Sequence, residues 1–266
     1  MSLKERFDLV IFDWAGTMVD FGCEAPVRAL IEAFAAERVS LDEALARRDM
    51  GKAKIDHVRA LLAYPEVQAQ WRAHHASAAG ADDVARIMQR LEPLMREHAA
   101  RASTLIEGAR ATVERLRAQG LKVASSTGYT REMMRPVLAR AAEQGYSPEH
   151  LVCSGETPVG RPSPLMIYKA CAELGVWPLS RVVKVDDADA GIAEGRAAGA
   201  FTVGVASGNA LALSLEAFQA LTPAARAAAL GRARDALAAA GADLVIDSVA
   251  DLVPALERAS VQPGSR

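Results

Sequence analysis

Asp13 closes a short apolar run, Asp8–Asp13 (DLVIFD), and is followed by Trp14-Ala15-Gly16-Thr17. A carboxylate at the end of a buried strand can attack phosphorus and form an acyl phosphate, provided a cation neutralises the anionic substrate. A lone aspartate there equally caps the next turn. Three further segments sharpen the choice. Ser125-Ser126-Thr127-Gly128-Tyr129 follows the run LKVAS and offers a hydroxyl and backbone amides to a phosphate, or simply a serine-rich turn with an N-cap. Arg161, in Gly160-Arg161-Pro162, presents a planar fork to phosphate oxygens, or to solvent. Asp186-Asp187-Ala188-Asp189 follows RVVKV. Neighbouring carboxylates repel unless a cation offsets them, and hard oxygen ligands suit magnesium; an acidic helix N-terminus is the plainer alternative.

Lys54 and His57 stand three apart in Met50-Gly51-Lys52-Ala53-Lys54-Ile55-Asp56-His57. A helix beginning near Gly51 puts both on one face. An amine near a helix N-terminus and partly desolvated has a lowered pKa, as attack on a carbonyl to form a Schiff base requires. A solvated lysine beside a neighbour is the ordinary alternative.

The elements that must position these groups fall into two regions. From Gly108 onward strand and helix alternate: LKVASS, LVCS, RVVKVD, FTVGVA and ADLVID read as strands separated by helices. Alternation of this kind gives an α/β fold, a doubly wound, Rossmann-like parallel sheet with right-handed crossovers. DLVIFD belongs to that sheet, whereas residues 23–102 contain helical stretches and no convincing strand. The expected organisation is a core of residues 1–22 and 103–266, with residues 23–102 as an all-helical cap inserted after strand one, over the edge where such sheets bind ligands. Ser40 and Asp82 are the expected N-caps within it, and Pro65 and residues 76–81 the expected breaks. The tail VQPGSR is expected to fray.

Composition narrows the function. The 266 residues are 51% hydrophobic and 24% charged, with 31 Lys and Arg against 33 Asp and Glu, a net charge of −2. This lacks the broad basic footprint of a nucleic-acid binder. Cys23, Cys153 and Cys171 are too few and too scattered for a disulfide framework or zinc cluster. No apolar run approaches the roughly 20 residues of a membrane span, and MSLKERFDLVIFDW reads as leading into a strand rather than as a signal peptide. The expectation is a cytoplasmic protein acting on a small molecule.

A nucleophilic Asp after strand one, a hydroxyl residue after strand two, a basic residue and an acidic loop together resemble the four-part signature of the haloacid dehalogenase superfamily. FDWAGTMVDFGCEAP, MGKAKIDHVRALL, SSTGYTREMMRPV, GRPSP and KVDDADAGIAEGRAAGAFTVGVASG resemble, within it, the phosphonatases, or phosphonoacetaldehyde hydrolases, over essentially the whole chain. Most phosphatases of the superfamily carry a second Asp two positions after the nucleophile as general acid and base; here Ala15 stands there. The resemblance implies cleavage of a carbon–phosphorus bond through a Lys54 Schiff base and an Asp13 aspartyl phosphate, in the degradation of 2-aminoethylphosphonate. It further implies Mg2+ held by Asp13, the Ala15 carbonyl and Asp187, phosphoryl contacts from Thr127, Gly128 and Arg161, and His57 as proton shuttle. Met50, Cys23 and Tyr129 would line the pocket, and the chain would form a homodimer. Two departures stand out. Arg161 replaces the usual lysine, and Gly191 occupies the place of the acid usual four residues after Asp187, for which Asp186 or Asp189 can compensate.

Three other functions compete. A capped phosphomonoesterase or phosphosugar mutase would be indifferent to Lys54, and Ala15 argues against it. A silent binding module would leave Asp13, Asp187 and Lys54 without purpose. A haloacid dehalogenase would use Asp13 without a metal and leave residues 186–189 unexplained.

Overall fold

The structure, a computed structural model, describes residues 2–75 and 77–261. Six strands form one sheet: β1 (Leu9–Phe12), β2 (Lys122–Thr127), β3 (His150–Cys153), β4 (Val182–Asp186), β5 (Phe201–Val205) and β6 (Leu244–Ile246). All neighbours are parallel, in the order β3-β2-β1-β4-β5-β6. Helices cover both faces of such a sheet, which explains why β1 and β4 are buried at every residue and why β1 reads as a continuous apolar run rather than an alternating one. The chain leaves β1 toward β2 and later returns to its other side as β4, so β1 marks the point where strand order reverses. A crevice opens at the carboxyl edge of such a point. Phe12 is level with Ser125 on one side and Val185 on the other, so Asp13, the Ser126–Tyr129 segment and Asp186-Asp187 emerge side by side.

The helices are α1 (Leu3–Arg6), α2 (Glu24–Ala35), α3 (Glu43–Arg47), α4 (Lys54–Ala63), α5 (Pro65–His74), α6 (Ala81–Arg101), α7 (Ala109–Ala118), α8 (Arg131–Glu143), α9 (Leu165–Leu174), α10 (Asp189–Ala198), α11 (Leu215–Ala220), α12 (Pro223–Ala239) and α13 (Leu252–Val261). Six of them, α2 to α7, lie between β1 and β2, and the first five, α2 to α6, form one group. In α6 the buried residues Val84, Ile87, Leu91, Met95 and Ala99 recur at three- and four-residue intervals, one apolar stripe that packs on α2 and α8. The segments that enter and leave this group run together: Ile106 N–H donates to the Met18 carbonyl at 2.9 Å, and Val19 bridges to Leu105.

Local details differ from the sequence expectations. Asp42, not Ser40, caps α3, its carboxylate accepting from Leu45 N–H at 2.7 Å. Ser40 pairs through its backbone with Gln70 instead. Gly80 rather than Asp82 is the N-cap of α6, and Asp83 reaches back to accept from Gly80 N–H at 2.8 Å. The helix carrying Lys54 begins at Lys54 itself, with Ala53 as N-cap, because Gly51 has φ of +89° and forms a turn. Two helices escaped the sequence reading. One is α5, with Pro65 at its first position, where its missing N–H costs nothing. The other is α1, which precedes β1. Of the expected frayed tail, Gln262–Arg266 lies outside the described residues, as does Ala76 in the expected break.

Ile87 is wholly buried in the stripe of α6. Ile87→Ala is expected to destabilise the protein by about 2–5 kcal/mol, the range for deleting that many buried methyl and methylene groups, measured by denaturant unfolding.

Candidate active site

A small cavity lies at the carboxyl edge of the sheet, walled by strand-end loops on one side and the start of α4 on the other. Asp13, Asp186 and Asp187 each place a carboxylate oxygen within 4.8 Å of the others, all buried, and Ala15 lines the same space. Asp187 is held from two directions. The Thr17 hydroxyl donates to it at 3.0 Å, and Asn209 N–H donates at 2.6 Å.

Arg161 ties the cluster to the rest of the site. Its guanidinium donates to Asp13 at 2.8 Å, Glu194 at 2.9 Å, the Ser126 carbonyl at 2.6 Å and the Gly51 carbonyl at 3.3 Å. Lys184, inside β4 and fully buried, donates to Ser126 Oγ at 2.8 Å and sits 2.9 Å from Asp186 and 3.3 Å from Glu194. Neither Lys184 nor Glu194 was singled out from sequence. The signal for Lys184 was present, since a lysine within the apolar run VVKV can stay charged only against a buried carboxylate.

Around the strand ends, four carboxylates (Asp13, Asp186, Asp187 and Glu194) thus face two cations, Arg161 and Lys184. Burial and this excess of negative charge both bear on Asp13 and Asp187. Burial, and then the Asp186 charge, raise Asp13 to about 6 against the opposing pull of Arg161 and Lys184. Burial and the charges of Asp13 and Asp186 push Asp187 well above the usual carboxylate range. Burial disfavours the charged Arg161 guanidinium, yet Asp186, Glu194 and Asp13 more than offset it and its pKa rises. An all-oxygen donor set carrying such an excess fits a hard divalent cation. Asp189, the other acid considered as a substitute at the missing position, is exposed and does not line the cavity.

The opposite wall carries Lys54. Its amine is buried as the first residue of α4, 3.7 Å from the Met50 sulfur and 5.4 Å from the centre of the Tyr129 ring. Burial lowers its pKa to about 8, only partly opposed by Cys23 and Asp13. Cys23 and Tyr129 line the same cavity, and burial pushes both well above their ordinary values, so they remain a thiol and a phenol at neutral pH. Thr127 and Gly128 complete the wall. At Gly128 a Cβ would lie 2.4 Å from the Lys52 carbonyl oxygen, so the absence of a side chain is what lets the loop after β2 meet the segment before α4.

His57 is placed apart. It is fully buried and does not line the cavity. Both ring nitrogens lack a hydrogen-bond partner among the described residues, and burial followed by the Lys54 charge lowers its pKa to about 3.

Residues 7–199 match the haloacid dehalogenase-like hydrolase family. The phosphonoacetaldehyde hydrolase of Paraburkholderia phytofirmans is 45% identical over 246 residues, 92% of either chain. The chain belongs to the phosphonoacetaldehyde hydrolases. The member from Bacillus cereus is 38% identical over 97% of this chain and 98% of its own. The crystal structure of a phosphonoacetaldehyde hydrolase-like protein from Oleispira antarctica superposes with a TM-score of 0.93 at 39% identity, over 95% of this chain and 92% of that one. In this family member the parallel sheet and its edge crevice are therefore as the sequence led one to expect. No helix among the described residues is long and apolar enough to cross a membrane.

An amine reacts with a carbonyl in its neutral form, so lowering its pKa extends that form toward neutral pH. Reductive methylation of Lys54 by formaldehyde and borohydride is expected to rise with pH and level off above about 8. Exposed lysines should still be gaining at that pH, since their pKa is near 10.4. Peptide mass mapping across a pH series checks it.

Proposed function

We propose that this protein hydrolyses the carbon–phosphorus bond of phosphonoacetaldehyde to acetaldehyde and phosphate, with Lys54 and Asp13 acting from opposite walls of one cavity. The observation that carries this reading is the buried, pKa-lowered Lys54 amine facing Asp13 where an acid at position 15 is absent. Breaking the bond directly would expel a carbanion, a very poor leaving group. Neutral Lys54 condenses with the aldehyde, releasing water and leaving a protonated imine next to the carbon that bears phosphorus. Asp13 then attacks phosphorus, and the bonding pair of the carbon–phosphorus bond flows into the imine to give an enamine. Protonation at carbon and hydrolysis return Lys54 and release acetaldehyde, while water cleaves the aspartyl phosphate. No oxygen leaving group has to be protonated, which makes Ala15 intelligible.

Asp13, the Ala15 carbonyl and Asp187 would hold Mg2+, which supplies charge neutralisation at the phosphoryl oxygens. Arg161, Thr127 and Gly128 bind and orient the phosphoryl group, and Met50, Cys23 and Tyr129 shape the aldehyde end. His57 suits a different part from the proton shuttle expected of it. A neutral imidazole behind Lys54 gives the ammonium no counter-charge and so favours the free amine. We further read residues 23–102 as a cap that closes on the core, because neither side of the cavity holds both reacting groups. Closure then excludes water while the imine exists. We also infer the expected homodimer and a location in the cytoplasm, neither of which the steps above call on.

Asp13→Asn should abolish phosphate release while borohydride still traps substrate on Lys54, located by peptide mass mapping. Lys54→Arg should reduce turnover of phosphonoacetaldehyde by about four orders of magnitude or more, the scale seen when a covalent nucleophile is removed. Trapping on Lys52 in place of Lys54, or normal turnover by Asp13→Asn, would contradict the mechanism.

A further inference from the structure

The end of β4 and the first turn of α10 contain a reciprocal fit. A Cβ added at Gly191 would lie 1.8 Å from Asp186 Oδ2, 1.9 Å from its Cγ and 2.3 Å from Oδ1. The Asp186 carboxyl group therefore occupies the space that a side chain at position 191 would fill. Gly191 has no positive φ, so space and not backbone conformation requires glycine there. The carboxylate placed in this way is fully buried and lines the cavity. Its Oδ1 accepts from Ala188 N–H at 3.2 Å, and its Oδ2 lies 2.9 Å from Lys184 Nζ and 3.4 Å from Arg161 Nη1. It also offers an oxygen to the cluster with Asp13 and Asp187. The same Arg161 Nη1 donates to the nucleophile Asp13 at 2.8 Å.

We propose that Asp186 is the positioning carboxylate of the cation site and of Arg161, entering from the end of β4 through the space kept open by Gly191, so that an acid at either position excludes a side chain at the other. The residue does not take part in bond making. It holds Arg161 and Lys184 against the phosphoryl end of the cavity and supplies the third negative group around the cation. Asp186 thus takes the part that the family resemblance leads one to expect at position 191, from the opposite side of the same small volume. This rests on the reading of the three aspartates as a divalent-cation site.

The test is a calorimetric magnesium titration of the full chain in five forms: native, Asp186→Gly, Gly191→Asp, the double variant Asp186→Gly/Gly191→Asp, and Asp186→Asn. Each single change is expected to weaken magnesium binding by about 10- to 100-fold, the usual cost of losing a supporting partner of a metal site. The double variant should recover most of that loss, in binding and in phosphate release. Relief of the clash alone would return the double variant only to the affinity of Asp186→Gly, so recovery above that level reports the acid at position 191. A double variant no better than Asp186→Gly, or a folded Gly191→Asp protein with native affinity, would overturn the proposal. Should a glycine or aspartate variant fail to fold, Asp186→Asn keeps the shape and decides: native affinity in that variant overturns it. A native chain that takes up no magnesium removes the cation reading and this proposal together. Binding by the native chain without recovery in the double variant removes the reciprocal pair alone.

Discussion

The interaction on which the site depends is repulsion among carboxylates that a dry crevice brings together. Asp13, Asp186, Asp187 and Glu194 crowd where water is excluded and like charges are felt strongly. Arg161 and Lys184 hold them only in part, and burial, with the neighbouring negative charges added to it, raises Asp13 and Asp187. Positive charge brought into the crevice would lower both values and favour the ionised carboxylates. A hard cation is one source, and it accompanies an anionic substrate that the crevice would otherwise repel. The network around Arg161 is better understood in this light. Its four hydrogen-bonded partners fix one fork of positive charge beside the nucleophile, where a flexible amine would wander.

Much of this was legible in the chain because parallel-sheet proteins write their chemistry at strand ends. Runs such as DLVIFD and RVVKVD announce a buried strand and, in their final acids, the residues left at its edge. Strand order was not legible from those runs, yet it is what sets Phe12 level with both Ser125 and Val185 and so gathers three separate loops. Less visible were groups whose role comes from burial against distant partners. Glu194 looks like any polar residue of a helix until Arg161, thirty-three residues earlier in the chain, is found against it. His57 shows the converse: proximity to Lys54 in sequence suggested a proton carrier, whereas complete burial without a partner leaves it neutral. The helix caps failed for a simpler reason. Ser, Asp and Gly all suit an N-cap, and with Ser40 close to Asp42 and Gly80 close to Asp82 the backbone path, not the residue type, selects one.

Lys54 and Asp13 illustrate opposite uses of desolvation. Removing water makes the ammonium costly and frees the amine, as the proposed imine step requires. The same removal makes the carboxylate costly, and the proposed attack on phosphorus calls for positive charge to correct it. One cavity serves both because its two walls differ in composition. Met50, Cys23 and Tyr129 surround the amine with soft or weakly polar groups, whereas the strand ends surround the carboxylate with ions.

The paired strands of chain at Met18-Val19 and Leu105-Ile106, where the helical group leaves the sheet and returns to it, are its one covalent junction with the sheet, although α6 also packs on α8. Asp13 is encoded on one side of this junction and Lys54 on the other. On the proposed mechanism, divergence in the helical group that kept its contacts with Arg161 and Gly128 would redirect the same phosphoryl-transfer machinery to another class of leaving group. Where a relative has changed its substrate, the first differences to look for lie between these two crossings.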